Sequence, residues 1–242
     1  MSASLLSLSH LNVFYGEFQA IFDLELTVRE GECIALVGAN GAGKSTLLKA
    51  MAGLLLPGSG AIRFRDEDVI ALGAESIVRK GITLVPEGRR LFPSLTVEEN
   101  LLMGAEASRR GPWNLQRVYD TFPNIAERRR NLGSALSGGQ QQMVAIGRAL
   151  MTNPEILLCD EISLGLAPVV VRDLYAKLAS LRSEGLSMVI VEQDISQAAK
   201  AADRLYCLRS GRVVLEGDPQ SLSRQEITDA YFGMAGAEHA DH

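Results

Sequence analysis

The chain has 242 residues, of which 47% are hydrophobic and 22% charged, and its formal net charge is −5 at pH 7. This length suits one large α/β domain, and the acidic balance argues against a nucleic-acid-binding protein, which would carry a clustered basic face. The three cysteines lie in separate apolar runs and the three histidines lie near the termini, which argues against a disulfide framework and a catalytic histidine. We find neither a signal peptide nor an apolar run of about 18 residues, so we predict a cytosolic chain. From the acidic balance we predict no nucleic-acid partner.

The N-terminal elements follow from patterns of apolar residues. Residues 5–30 alternate apolar and polar side chains around a turn at Gly16, which predicts an antiparallel hairpin or a small β layer. Residues 33–39, CIALVGA, form a short continuous apolar run, typical of a strand buried on both faces. A helix is predicted from about Ser45 to Leu55, and the sequence LPGSG at 56–60 ends it.

A glycine-rich loop lies between that strand and that helix. Its sequence, GANGAGKS, matches the phosphate-loop pattern G-x-x-x-x-G-K-[ST] without a mismatch. Backbone N–H groups of the loop and the helix N-terminus would hold phosphate oxygens, Lys44 would add a charge, and Ser45 would ligate Mg²⁺. The alternative is a glycine-rich turn that merely caps a helix, but the flanking strand and helix favour ATP binding. The predicted nucleotide-binding residues are Gly38, Ala39, Asn40, Gly41, Ala42, Gly43, Lys44, Ser45 and Thr46.

The middle of the chain continues with short strands and helices. Residues 61–70 alternate again and should rejoin the β layer, and residues 82–86, ITLVP, predict another apolar strand. The segment Thr96–Glu99 has the pattern of a capping box and should begin a helix that ends near Gly104. Residues 105–134 are more polar and predict a helical insertion between core strands.

A second glycine motif, LSGGQ at 136–140, begins a helix that is predicted over Ser137 to Asn153. A serine hydroxyl, two glycines and a helix N-terminus form a second anion-binding site, which has no lysine of its own. One phosphate loop and a second phosphate-facing helix in the same chain suggest that two subunits share the nucleotide.

Two adjacent carboxylates end the predicted buried strand EILLCDE at 155–161. Carboxylates at such a place are costly unless a cation or hydrogen bonds compensate them. Because neighbouring side chains on a strand point to opposite sides, Asp160 should face Mg²⁺ and Glu161 should polarise the attacking water. The alternative is that Asp160 simply caps the next segment.

The C-terminal third again alternates helices with strands. Residues 169–185 predict an amphipathic helix, 186–192 a strand, 196–202 a short helix and 204–217 a hairpin. The apolar face of the first helix consists of Val171, Leu174, Leu178 and Leu181. This alternation predicts an α/β fold, a mainly parallel sheet with helices on both faces.

The motifs GANGAGKST at 38–46, LSGGQ at 136–140 and ILLCDE at 156–161, in that order, resemble those of the ATP-binding subunits of ABC transporters. The resemblance covers about residues 5–233. It implies a P-loop NTPase core with a mainly parallel sheet, an antiparallel β subdomain and an inserted helical subdomain.

In domain terms, the resemblance implies one ABC ATPase domain over residues 1–234, with the helical subdomain at about 88–150. Residues 235–242 are predicted to be a disordered tail. The resemblance also implies ATP and Mg²⁺ as ligands and a head-to-tail pair of ATPase subunits.

Several site residues are predicted through this resemblance alone. Tyr15 matches the family's aromatic residue that stacks on adenine, although it could be an ordinary strand aromatic. In the head-to-tail pair, four residues of the second glycine motif would face the γ-phosphate of ATP held by the partner subunit. These are Ser137, Gly138, Gly139 and Gln140.

Four further segments are similar to the ATPases of branched-chain amino acid (Liv-type) importers, on the F-subunit side. They are VPEGRRLFPSLTVEENLLMG at 85–104, SLGLAP at 163–168, VEQ at 191–193 and AYFG at 230–233. This similarity implies uptake of leucine, isoleucine and valine by two different ATPase subunits under two permease subunits, fed by a periplasmic binding protein. The chain would lie on the inner face of the plasma membrane, with residues 88–134, including the basic run Arg128–Arg130, against the permease.

Three positions depart from the usual pattern of the family. Glu87 replaces a Gln and could still ligate Mg²⁺ or its water, and Ile162 replaces the Pro that usually follows Glu161. Gln193 replaces a His that touches the γ-phosphate. An amide can donate a hydrogen bond to a phosphate oxygen but cannot be protonated, so we predict a sensor role for Gln193 and a catalytic-base role for Glu161. With Lys44, these two residues make up the predicted catalytic set.

Other functions remain open from the sequence alone. An importer ATPase for urea or short amides would share most of the motifs. A non-transport ATPase that acts on DNA or ribosomes usually has two ATPase units or a long coiled-coil insertion, and neither is found. A regulatory module that binds ATP but turns it over poorly is disfavoured by the intact Lys44, Asp160, Glu161 and LSGGQ.

Overall fold

The computed structural model describes residues 4–107 and 109–233. The predicted disordered tail at 235–242 lies outside these residues. Within the two described ranges, no helix has both the length and the apolar composition that crossing a membrane would require.

The described residues form ten strands and nine α-helices. The strands are β1 (Ser4–Tyr15), β2 (Phe18–Arg29), β3 (Cys33–Val37), β4 (Ser59–Phe64), β5 (Glu67–Asp68), β6 (Ile82–Val85), β7 (Ile156–Asp160), β8 (Ser187–Val191), β9 (Arg204–Arg209) and β10 (Arg212–Gly217). The helices are α1 (Lys44–Met51), α2 (Ala74–Lys80), α3 (Val97–Ala105), α4 (Leu115–Thr121), α5 (Pro123–Ala126), α6 (Gly138–Leu150), α7 (Pro168–Ser183), α8 (Ile195–Ala201) and α9 (Arg224–Phe232). A 3₁₀ turn covers Gly133–Ala135.

The first sheet is antiparallel, in the order β2-β1-β4-β5. The hairpin of β1 and β2 turns at Gly16, whose φ of +60° suits a residue without a side chain. Both predictions for this part of the chain, the hairpin and its turn, are confirmed. The predicted return of residues 61–70 to the β layer is confirmed, because β4 pairs with β1 in this sheet. Arg65 and Asp66 both adopt positive φ and turn the chain between β4 and β5.

The second sheet has six strands in the order β10-β9-β3-β8-β7-β6. All pairs are parallel except β9 with β10, so the predicted mainly parallel α/β sheet is confirmed. Every residue of β3, β7 and β8 is buried, as expected for central strands covered on both faces. The three cysteines lie fully buried in these strands and in β9, and no disulfide joins them.

Three apolar clusters hold the layers together. The first fills the space between the antiparallel sheet, α1 and one face of the parallel sheet. The second joins the opposite face of that sheet to α3, α6 and α7, and the third lies under α8 and α9. The predicted face of α7 is confirmed, because Leu174, Leu178 and Leu181 are buried there and Val171 is partly buried against the same cluster.

The segment between β6 and β7 contains mostly helices. Helix α3 begins with the predicted capping box, in which Thr96 and Glu99 exchange hydrogen bonds with each other's backbone N–H groups. Helix α3 packs on α6, and both helices contribute buried residues to the second apolar cluster. The basic run Arg128–Arg130 follows α5 and is exposed.

Other element boundaries differ from the predictions. Helix α1 ends at Met51 and not at Leu55, because Gly53 adopts a φ of +67° and turns the chain away. Helix α6 ends at Leu150, three residues before the predicted end at Asn153, whose φ is also positive. Helices α2 and α9 were not predicted from the sequence, although α9 begins with a capping box formed by Ser223 and Glu226.

Candidate functional site

The carboxyl ends of the central parallel strands meet at an open cavity of about 890 Å³. Ten of the residues predicted from sequence to bind or act on the nucleotide line this cavity. They are Tyr15, Asn40, Gly41, Gly43, Lys44, Ser45, Thr46, Glu87, Glu161 and Gln193. A cavity at the carboxyl ends of parallel strands is the usual ligand site of open α/β sheets.

The glycine-rich loop is shaped by positions where no side chain would fit. A Cβ atom on Gly38 would lie 2.2 Å from the carbonyl oxygen of Leu208, and one on Gly43 would lie 2.7 Å from Cδ1 of Ile21. Gly43 also has a φ of +104° and precedes the first residue of α1. The loop therefore approaches β9 and β2 closely and presents the N-terminus of α1 to the cavity.

Lys44 begins α1 and is only 4% exposed. Its ammonium group donates hydrogen bonds to the carbonyl oxygens of Gly38 (2.7 Å) and Ala39 (3.2 Å). Burial lowers the pKa of Lys44, and the nearby carboxylates of Glu161 and Asp160 oppose that effect. The Lys44 ammonium group is thus held at the loop, where it could bind a phosphate group.

Ser45 and Asp160 are brought together across 115 residues of sequence. The Ser45 hydroxyl donates to Oδ1 of Asp160 at 3.0 Å. Burial raises the pKa of Asp160, and the carboxylates of Glu161 and Glu87 raise it further, while the Ser45 hydrogen bond lowers it. A buried carboxylate among other carboxylates favours a cation, so this site suits a divalent metal ion.

The donor set fits Mg²⁺ in particular. Mg²⁺ prefers oxygen ligands and is usually held by one or two protein groups together with water and substrate phosphates. Ser45 and Asp160 offer such oxygens, and Glu87 lies exposed in the turn after β6 on the cavity wall. Among the described residues, no group of three or more His, Cys, Asp and Glu could form an all-protein metal site.

Glu161 and Gln193 meet at the far side of the cavity. The Gln193 amide donates through Nε2 to Oε2 of Glu161 at 2.6 Å. The prediction that strand alternation sets the direction of the Glu161 side chain is wrong. Strand β7 ends at Asp160, and Glu161 adopts a φ of +46°. Glu161 nevertheless lines the cavity next to Lys44 and Ser45.

Aromatic side chains also line the cavity. Tyr15 is half-exposed at the end of β1, and its hydroxyl lies 3.5 Å from Oγ1 of Thr46. Phe18 pairs with Tyr15 across the hairpin and is 70% exposed. The sequence analysis missed Phe18 and Phe22 as wall residues, although the short turn at Gly16 would have placed Phe18 beside Tyr15.

The second glycine motif lies elsewhere in the chain. Ser137 is the N-cap of α6, and its hydroxyl and the Gln140 side chain satisfy each other's backbone N–H groups. Ser137, Gly139 and Gln140 line a separate cavity of about 230 Å³ with Arg128. None of the four predicted motif residues lines the nucleotide cavity of the same chain.

Comparisons with known proteins agree with these observations. A family model described as ABC transporter matches residues 21–163, which include the phosphate loop, LSGGQ and the Asp160–Glu161 pair. The high-affinity branched-chain amino acid transport ATP-binding protein BraG of Pseudomonas aeruginosa is 44% identical, over 95% of this chain and its own full length. The lipopolysaccharide export system ATP-binding protein LptB of Haemophilus influenzae is 32% identical, over 95% of this chain and 98% of its own.

The fold is also that of solved ABC transporter cassettes. A dimeric structure of a bacterial ABC transporter cassette is 28% identical and superposes with a TM-score of 0.79. The superposition covers 90% of this chain and 100% of that one. The whole cassette, and not only its phosphate loop, is therefore shared with this chain.

Proposed function

Because this chain belongs to the ABC transporter family of ATP-binding proteins, we propose that it hydrolyses ATP to power uptake of branched-chain amino acids. The observation that carries the choice of solute is the 44% identity to BraG over nearly the whole chain. A sequence identity near 32% does not distinguish between transported solutes, since a lipopolysaccharide export ATPase is also 32% identical to this chain. The Liv-type segments at 85–104 and 191–193 support the same choice over urea and short amides.

In this proposal, ATP lies in the cavity with its phosphates on the N-terminus of α1. The loop N–H groups and Lys44 hold the β- and γ-phosphates. Tyr15 stacks on adenine, and the neighbouring Phe18 widens that aromatic surface. Ser45, Asp160 and Glu87 would hold Mg²⁺ directly or through water, and the bound ion neutralises phosphate charge.

In the chemical step of this proposal, Glu161 acts as the base. Its carboxylate accepts a hydrogen bond from a water molecule, whose oxygen attacks the γ-phosphorus. The bond from that phosphorus to the β,γ-bridging oxygen breaks, ADP leaves with the electron pair, and the water proton passes to the carboxylate. Gln193 turns its Nε2 donor from Glu161 to the γ-phosphate, which frees the carboxylate for the water.

We propose further that two ATPase subunits pair head to tail, with Ser137, Gly138, Gly139 and Gln140 closing over the partner's nucleotide. The partner is a different ATPase subunit. The dimeric cassette structure supports pairing, and the separation of the two glycine motifs in one chain supports the head-to-tail arrangement.

The segment at about 88–150 would act as the helical subdomain that docks on two permease subunits. Exposed apolar side chains in it, together with Arg128–Arg130, offer a surface for that contact. The apolar ones are Phe92, Leu102, Met103 and Leu132. The chain would then lie at the inner face of the plasma membrane, and a periplasmic binding protein would deliver the solute from the other side.

Uptake by the assembled transporter tests this proposal. Proteoliposomes containing this chain, its partner ATPase and both permeases should take up leucine when the binding protein and internal ATP are present. Lys44→Ala should reduce uptake and hydrolysis by at least a hundredfold, because the phosphates lose their cation. Lys200→Ala, at an exposed lysine of α8 that does not line the cavity, is the matched control. Uptake of urea but not leucine would contradict the choice of solute.

A further inference from the structure

A buried carboxylate that the sequence analysis did not assign lies beside the catalytic pair. Glu192 follows the last residue of β8 and is only 3% exposed. Its Oε1 accepts a hydrogen bond from the Tyr175 hydroxyl, and its Oε2 accepts one from the Ser163 hydroxyl, both at 2.7 Å.

These bonds join three elements that carry or flank the catalytic residues. Tyr175 belongs to α7, Ser163 is two residues after Glu161, and Glu192 immediately precedes Gln193. Near the same point, the backbone N–H of Glu161 donates to the carbonyl oxygen of Val191 at 3.0 Å. The segment after β7 and the end of β8 are thereby fixed to each other next to the Glu161–Gln193 contact.

A charge is a costly way to hold two segments together. Burial raises the pKa of Glu192 and opposes ionisation, while the hydrogen bonds from Tyr175 and Ser163 lower it. An apolar residue of similar size would pack in such a place without a desolvation cost. Two directed hydrogen bonds, however, fix an orientation that apolar packing leaves looser.

The position of Glu161 matters because its backbone is already unusual. A φ of +46° is rare for a residue other than glycine and persists only where the surroundings impose it. Ser163, held by Glu192, is within the same turn, since the N–H of Leu164 donates to the carbonyl oxygen of Glu161 at 3.1 Å. The Glu192 contacts thus lie where they would stabilise that conformation.

We propose that Glu192 is a positioning residue, which through Ser163 and Tyr175 fixes Glu161 relative to Gln193 and the γ-phosphate. It touches neither ATP nor the attacking water. This inference rests on the proposed ATPase mechanism of the same site. It assigns to the Glu192–Tyr175–Ser163 network the alignment of the base, and not the binding of nucleotide.

The test measures kcat, KM for ATP and the unfolding midpoint in the assembled transporter and the purified chain. Glu192→Gln removes the carboxylate charge and makes one of the two hydroxyls turn from donor to acceptor. This weakens the alignment, so kcat should fall at least tenfold with KM changed less than threefold. Tyr175→Phe removes one bond only and should lower kcat to a smaller extent. The double variant of Glu192→Gln and Gln193→Ala should lower kcat by a smaller factor than the product of the two single reductions, because both substitutions disturb the same alignment.

Tyr206→Phe is the matched control. Tyr206 is fully buried and also bonds a carboxylate, Glu216 at 3.0 Å, but it lies outside the cavity. It should lose stability comparably to Tyr175→Phe and keep the parent kcat. The proposal is overturned if Tyr175→Phe and Tyr206→Phe have the same kcat, or if Glu192→Gln keeps the parent kcat. Hydrolysis by the parent complex tests the proposed function separately, since the variants are judged only relative to it.

Discussion

Asp160 is subject to two opposing requirements at the residue scale. The proposed metal binding would need its carboxylate ionised, whereas burial at the end of β7 favours the neutral form. The Ser45 hydroxyl supplies a single hydrogen bond in partial compensation. Such a site would stabilise a bound cation and would lower the stability of the protein without one.

This conflict predicts a pH-dependent stability. Because the pKa of Asp160 is raised in the folded chain, the folded state binds this proton more readily than the unfolded state. The stability contributed by this group is therefore greatest at low pH and falls as pH rises through the range between its ordinary and its raised pKa.

We expect Asp160→Asn, without nucleotide or Mg²⁺, to be more stable than the parent at neutral pH. The difference should vanish below the ordinary pKa of an aspartate, where the parent side chain is protonated in both states. Denaturant unfolding at a series of pH values measures it, and Asp120→Asn at an exposed position controls for the loss of one charge. A parent chain that is the more stable at neutral pH would contradict the prediction.

At the element scale, the glycine-rich loop requires glycine for physical reasons that differ from one position to the next. Gly38 lies so close to β9 that any side chain would strike the backbone of Leu208. Gly41 has a φ of +80° but open space around it, since no atom lies within 4 Å of a Cβ placed there. Packing and a φ of +153° both constrain Gly38, whereas backbone conformation alone constrains Gly41.

The two alanine substitutions should therefore differ. Gly41→Ala should cost about 1 kcal/mol of unfolding free energy, the usual strain of a non-glycine residue in the left-handed region. Gly38→Ala should cost roughly 3 kcal/mol or more, because a strand of the core must move. Urea unfolding of both proteins tests this, and equal losses would mean that the loop relaxes away from β9 without cost.

Elements also differ in how well the sequence predicts them. Helix α3 is predicted correctly because its capping box is local, and α7 because its apolar face repeats with helical spacing. The end of α1 is predicted four residues too late, since Leu54 and Leu55 continue the apolar pattern while Gly53 already turns the chain. Helix α9 has a readable capping box at Ser223, and attention to it would have found the helix.

At the scale of the whole molecule, the two glycine motifs of one chain lie at separate cavities. If a partner subunit closes the site, a large side chain at Ser137 should block pairing while leaving nucleotide binding in the single subunit intact. Ser137 is exposed at the N-terminus of α6, so an arginine there should not disturb the core.

We expect Ser137→Arg to abolish the ATP-dependent dimer that Glu161→Gln should trap with the partner ATPase. Nucleotide binding by the chain itself should remain within threefold of the parent. Analytical ultracentrifugation and titration with a fluorescent ATP analogue measure the two properties. Ser180→Arg, an exposed position on α7, is the matched control. A stable dimer of the Ser137→Arg protein would argue against head-to-tail closure.

Most of the strands and helices, with α2 and α9 as exceptions, and the chemistry of the motifs could be predicted from the sequence. Apolar periodicity, capping residues and the glycine-lysine loop are local features, so they can be read from neighbouring residues. The tertiary structure decided which side chains meet. The bond between Ser45 and Asp160 spans 115 residues, and that between Gln193 and Glu161 spans 32. The positive φ of Glu161 and the Glu192 network depend on contacts between β7, β8 and α7. Packing of distant segments sets such contacts, and no local pattern contains them.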